Sequence, residues 1–193
     1  MKHYFWDTCV LVAYLNQEQD CTDLPSINQF ALDAKTGNCT IYVSTLTISE
    51  LLPSYLKDRK LKSYQEFISD MNGAVNQISP DVNILSLSAR LRDVPYSKKI
   101  NSKEKAIRRL DVPDAIMLAT AIVLRDGYQV KLDAFHTFDN GRKRSLEGGR
   151  CVPLLDFHVW CETLAKSYQP LVKRVTDLPR TKPIHDRPGL PGV

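Results

Sequence analysis

The chain opens on an unbroken aromatic run, His3-Tyr4-Phe5-Trp6, that stops at Asp7-Thr8, after which Val10, Leu11 and Leu15 recur at helical spacing. A continuous run of this kind marks a strand covered on both faces. The pattern therefore predicts a strand, a tight corner and a helix. Ile27, Phe30, Ala31 and Ala34 share one face of a second predicted helix over 26–34, with Gly37 as its stop. Ile41-Tyr42-Val43 predicts a short strand, and Thr47-Ile48-Ser49-Glu50 carries the Thr-x-x-Glu signature of a helix start. Pro53 lies a few residues into that helix and should kink it, because it removes a backbone donor. Tyr64, Phe67, Ile68, Met71, Val75 and Ile78 keep a helical period, which predicts one helix through residue 78.

Further along, 82–87 reads as a short strand and 88–92 as the start of a helix that runs into a basic segment. Residues 111–125 form a predicted helix with Pro113 near its start, small apolar residues such as Ala115, Ala119 and Ala121 on one face, and Gly127 past its end. A strand over 134–138 ends at Asp139-Asn140-Gly141, another is expected over 152–155, and a helix over about 156–166. Repeated strand-then-helix order argues for an α/β fold with a parallel sheet. From Pro170 onward five of the eleven prolines alternate with Lys173, Arg174, Arg180, Lys182 and Arg187. That composition predicts an extended tail over 170–193, outside a domain of residues 1–169.

Length and composition narrow the class. The 193 residues suit one domain, and 43% hydrophobic with 25% charged residues is the balance of a soluble globular chain. Asp7 interrupts the N-terminal apolar stretch, so a secretory leader is not expected, and the apolar run 115–124 is about half the length of a membrane span. Five widely spaced cysteines without a C-x-x-C pair read as reduced thiols in a cytoplasmic protein. Cys9 stands two residues from Asp7, but no His or Asn signature accompanies it, and packing is its expected role.

Charge changes the picture more. The net charge is +4, yet 90–109 holds eight Lys or Arg against Asp93 and Glu104, which leaves the remainder of the chain at −2. Such a segment suits a surface that tracks phosphates, and its rival is a solvated loop. Asp7 and Asp139 follow predicted strands, whereas Glu50 and Asp114 open predicted helices. In a parallel sheet these places lie at the carboxyl edge, where open α/β sheets bind ligands. Clustered carboxylates repel unless a cation joins them, and oxygen-only sites favour Mg²⁺ or Mn²⁺. Each acid also has a local rival. Glu50 fits the N3 place of a capping box with Thr47, Asp114 fits N3 after an N-cap at Asp111, and Asp7 and Asp139 suit turns.

Phe5-Trp6-Asp7-Thr8-Cys9-Val10-Leu11, Thr47-Ile48-Ser49-Glu50-Leu51, 114–121 (DAIMLATA) and Thr137-Phe138-Asp139 together resemble the four acidic motifs of PIN-domain nucleases, over about residues 3–165. The resemblance implies a PIN-like fold, a small parallel sheet flanked by helices on both faces, and a metal-dependent ribonuclease of the VapC-like kind. By its terms Asp7, Glu50, Asp114 and Asp139 are catalytic and ligate Mg²⁺ or Mn²⁺, with Thr137 and Asn140 as auxiliary residues. Lys98, Lys99, Lys103, Lys105, Arg108 and Arg109 would hold the RNA backbone. The expected partners are an RNA substrate, an antitoxin protein if the chain is a toxin, and a second copy in a homodimer; no membrane is expected. A haloacid-dehalogenase-like phosphatase would need an aspartate where Cys9 stands, and a receiver domain would need adjacent acids near the first strand. The more serious alternative is a catalytically silent PIN-like module that binds RNA or a protein.

Overall fold

In the computed structural model, which describes residues 1–17, 20–52, 63–71, 73–100, 105–140 and 151–186, the aromatic opening is strand β1 (Lys2–Trp6). Helix α1 (Thr8–Asn16), helix α2 (Leu24–Lys35) and strand β2 (Cys39–Ser44) follow as the hydrophobic pattern predicts. The next helix, α3 (Thr47–Glu50), is shorter than expected, because Leu51 is already extended at φ −79° and ψ 116°. Thr47 lies inside it rather than capping it: its hydroxyl donates to the Ser44 carbonyl at 2.6 Å. The predicted capping box therefore does not form, and Pro53 lies outside the described residues.

The single helix expected through residue 78 is two elements. Helix α4 (Tyr64–Asp70), capped by the Ser63 hydroxyl accepting from Glu66 N, gives way to strand β3 (Val75–Ile78). Gly73 at φ 72° makes the break, since a right-handed helix does not continue through the left-handed region.

All five strands of the main sheet run parallel in the order β3-β2-β1-β6-β7, where β6 is Ala134–His136 and β7 is Arg180–Thr181. On one face Tyr4, Trp6, Ile41, Val43, Val75 and Ala134 pack with Leu11, Leu15, Ile27, Phe30, Phe67 and Met71 from α1, α2 and α4. Each large apolar side chain buried in this way contributes about 1.5–3 kcal/mol. On the opposite face Phe5 and Phe135 are also fully buried and stack with ring centres 5.1 Å apart. The chain steps from β1 through β2 to β3 in one direction, while β6 and β7 lie on the other side of β1. Strand order thus reverses between β1 and β6.

Two compact units partition the chain, one of Met1–Ser79, Val130–Phe138 and Arg180–Val193, the other of Pro80–Gln129 and Asp139–Pro179. The sheet belongs to the first. Within the second, 82–87 is not a strand but part of helix α5 (Val82–Asp93), because the Asp81 carboxylate caps it by accepting from Ile84 N at 2.9 Å. The basic segment is not a helical continuation either. Strands β4 (Tyr96–Lys99) and β5 (Lys105–Arg108) pair antiparallel there. Helix α6 (Val112–Asp126) packs against α5.

The strand expected over 152–155 reduces to one bridge between Arg109 and Cys151, and the helix over 156–166 to a 3-10 turn at Phe157–Trp160. The tail also needs correction in its described part. Helix α7 (Gln169–Thr176) accommodates Pro170 in its first turn, where the missing N–H costs nothing, and β7 pairs with β6. Among the described residues no helix is long and apolar enough to cross a membrane.

Candidate active site

The place where strand order reverses puts the ends of β1 and β6 side by side, and Asp7 stands there. Its backbone N–H donates to the His136 carbonyl at 3.0 Å, which continues the β1–β6 ladder by one step. With φ −70° and ψ 156° it is the N-cap of α1, and its Oδ1 accepts from Thr8 N at 2.8 Å. A carboxylate at a helix N-terminus is stabilised by the orphan N–H groups and the helix dipole, by about 0.3–1 kcal/mol.

The other carboxylate oxygen, Oδ2, accepts from the buried Thr137 hydroxyl at 2.7 Å and from the Cys9 thiol at 3.2 Å. Thr137 is itself fixed, because its backbone N–H donates to the Thr181 carbonyl of β7 at 3.0 Å. Three donors therefore hold the Asp7 carboxylate, which is only 7% exposed, in one orientation. Glu50, half-buried at the end of α3, joins the same group: the Thr8 hydroxyl donates to its Oε2 at 2.5 Å. Thr8 thus links the two acids, by its backbone to Asp7 and by its side chain to Glu50.

Cys9 lies in this cluster as a neutral thiol. Burial, and next the Asp7 carboxylate beside it, push its pKa well above that of an ordinary thiol, although Phe138 N donates to the sulfur at 3.2 Å. The group accordingly presents oxygen atoms and a protonated thiol rather than a soft thiolate ligand, which suits a hard cation such as Mg²⁺ or Mn²⁺.

The remaining sequence candidates lie in the second unit. Asp114 occupies the first turn of α6, half-buried, three residues after the N-cap Asp111, whose Oδ1 accepts from Val112 N at 2.8 Å. Asp139 uses its Oδ2 to accept from Leu154 N and its carbonyl to accept from Leu155 N, both at 3.0 Å. Asn140 is exposed. Asp7, Glu50 and Thr137 are thus drawn together in one unit, while Asp114 and Asp139 have separate local anchors in the other. No group of three or more His, Cys, Asp or Glu side chains arranged to hold a metal ion occurs among the described residues.

The basic candidates divide. Lys98, Lys99 and Lys105 are exposed on the hairpin, and Lys103 lies outside the described residues. Arg108 sits 4.2 Å over the Trp160 ring and donates to the Cys151 carbonyl. Arg109 donates to the Asp93 carbonyl at 2.9 Å and pairs with its carboxylate at 3.3 Å.

Sequence reasoning missed Thr8, Cys9 as a donor to Asp7, and Thr181. A hydroxyl directly after an acid at a strand-to-helix corner is a usable signal for Thr8. Nothing local marks Thr181, whose role depends on a strand pairing formed far along the chain. No protein-family model matches this chain, and no curated protein matches it.

Proposed function

We propose that this chain is a PIN-like, metal-dependent endoribonuclease, in which Asp7 and Glu50 are ligands of Mg²⁺ or Mn²⁺. The observation that carries the reading is the Asp7 carboxylate. It is buried, fixed by three donors, joined through Thr8 to Glu50, and placed where a parallel sheet reverses its strand order. A buried acid held this firmly by polar side chains is an expensive arrangement for a turn residue, and an effective one for a ligand that must be presented in one orientation.

Asp7 and Glu50 would hold the hard cation, which would activate water as a nucleophile near neutral pH and offset charge developing on the phosphate. Thr137 and Thr8 orient Asp7, and Thr8 aligns Glu50 with it. Cys9 stays protonated and takes no covalent part. Asn140 and the exposed lysines are the residues available to steer RNA. A toxin restrained by an antitoxin protein and a free-standing RNA-processing enzyme are both compatible with this chemistry, and a cytoplasmic setting fits five cysteines that are in no disulfide.

A second reading, a silent module that binds RNA without cutting it, draws on the same geometry. Oδ2 of Asp7 already accepts two hydrogen bonds within the protein. The deciding experiment is incubation of the purified chain with end-labelled RNA in Mg²⁺, Mn²⁺ or EDTA. Cleavage only with a metal ion supports the nuclease. Binding without cleavage in every condition supports the silent module, and cleavage undiminished by EDTA refutes the metal-dependent reading.

A further inference from the structure

The β4–β5 hairpin has two halves of opposite character. Its base is anchored: Tyr96 is fully buried, donates its hydroxyl to the Leu91 carbonyl at 2.9 Å, and meets Phe157 edge-on with ring centres 5.0 Å apart. Ser97 is hydrogen-bonded to the Thr163 side chain, and Arg108 rests on Trp160. Beyond this base the ladder pairs Lys98 with Ala106 and Lys99 with Lys105, and all three lysines are exposed.

Directly opposed residues of an antiparallel pair stand on one face with Cβ atoms about 4.5–5.5 Å apart, so like charges in that position destabilise the hairpin. Lys99 and Lys105 are such a pair. Ile107, 68% exposed, stands on the same face one pair further back, opposite Ser97. Among the described residues no acid forms an ion pair with either lysine. Two ammonium groups held together on a rigid base, beside an exposed apolar side chain, form a surface that a polyanion with apolar parts would relieve.

We propose that Lys99 and Lys105, with Ile107 beside them, form the contact surface of this hairpin for the phosphodiester backbone of single-stranded RNA. The lysines meet phosphate oxygens and Ile107 packs on a sugar or base. This inference rests on the ribonuclease reading for its choice of polyanion. The type of charge favours phosphate over an acidic peptide. A guanidinium fork matches a carboxylate with two parallel bonds, but Arg108 and Arg109 are engaged within their own unit, whereas the exposed ammonium groups are compact point charges that bind phosphate well. Four of the six basic candidates are thereby sorted: Arg108 and Arg109 make contacts within their own unit, while Lys99 and Lys105 take the ligand.

The test is fluorescence anisotropy of a labelled single-stranded RNA oligonucleotide with the full chain, in EDTA, over a series of salt concentrations. Lys99→Gln/Lys105→Gln keeps a polar side chain, one atom shorter, and removes both charges. Its plot of log affinity against log salt should be shallower than wild type by about 1.4, from roughly 0.7 for each phosphate contact on a single strand. Its Tm should equal or exceed that of wild type, because a repulsive pair is gone. An unchanged slope, a wild-type chain that does not bind the oligonucleotide, or a lowered Tm that reassigns the pair to the fold would overturn the proposal. So would a two-lysine dependence seen with phosphatidylserine vesicles or polyglutamate while RNA binding is unaffected. Binding here is read without metal, so the two readings fail separately. A chain that binds through these lysines yet cuts nothing with Mg²⁺ or Mn²⁺ refutes the nuclease alone, and one that cuts with an unchanged salt slope refutes the hairpin contact alone.

Discussion

Thr137 and Cys9 both donate to the same oxygen of Asp7, but they differ in what their loss should do. Replacing Thr137 by Val removes the shorter bond, at 2.7 Å, and leaves a buried carboxylate short of a donor. Outer partners of metal ligands typically contribute 10–100-fold to affinity or activity, so Thr137→Val should lower the metal-dependent RNA cleavage rate by that factor and raise the Mn²⁺ concentration needed for half-maximal rate. Cys9→Ser keeps a donor beside Asp7 and should change the rate little, because burial holds the thiol neutral and the proposed nucleophile is water. A large loss in a folded Cys9→Ser protein would restore the thiol as nucleophile. His136 gives a pH dependence of another kind. Burial between Tyr4 and Phe30 depresses its pKa from 6.5 to about 3. Below pH 6.5 the unfolded chain therefore binds a proton that the folded chain refuses, so stability is complete above that pH and falls by about 1.4 kcal/mol per unit down to about pH 3. Chemical denaturation of His136→Phe beside wild type between pH 7 and 4.5 should show a shallower decline in the variant, and parallel curves would contradict this origin.

The elements most legible in the chain were those with one dominant period. The strand ending at Trp6, the helix after Asp7, and α2, β2, α6 and β6 all lie where the alternation or helical spacing placed them, within a few residues. Legibility failed where two periods competed or a local cap decided. Val75 and Ile78 suit a helical face and a short strand equally, and the φ of Gly73 selects the strand. The apolar residues of 82–87 alternate well enough for a strand, and the Asp81 cap turns them into a helix. The tail misled for a third reason: prolines deny donors only where donors are needed. Pro170 falls in a first helical turn, and β7 is a two-residue edge strand between Pro179 and Pro183. The correction leads to a prediction. Deleting 180–193 removes the Thr181 carbonyl that holds Thr137 and the His185–Asp33 contact at 3.0 Å. Losing two such interactions costs about 2 kcal/mol, which for a chain of this size is a fall of about 4–8 °C in Tm. An unchanged Tm would show that β7 contributes nothing to the sheet.

For the molecule as a whole, the α/β class and the parallel sheet followed from strand-then-helix order, whereas the division into two interleaved units had no local signature, since each unit is assembled from separated stretches of chain. The candidate site was legible to the same extent. Asp7, Glu50 and Thr137 were named from motif position, and the structure joins them through hydrogen bonds that no periodicity encodes. Asp114 and Asp139 were named on equal grounds and are anchored in the other unit, by a helix start and by Leu154 N respectively. The central claim is that the Asp7 carboxylate serves metal-dependent cleavage of RNA rather than the corner between β1 and α1. Asn accepts from the same Thr8 N–H and is as good an N-cap as Asp, so Asp7→Asn should fold with a Tm near that of wild type while losing the anionic oxygen. The most direct measurement is therefore the single-turnover cleavage rate of a labelled RNA by wild type and Asp7→Asn at saturating Mn²⁺. The predicted result is a rate at least about 100-fold lower in the variant, comparable to removing one key electrostatic contact from an active site. Equal rates in two folded proteins would contradict it.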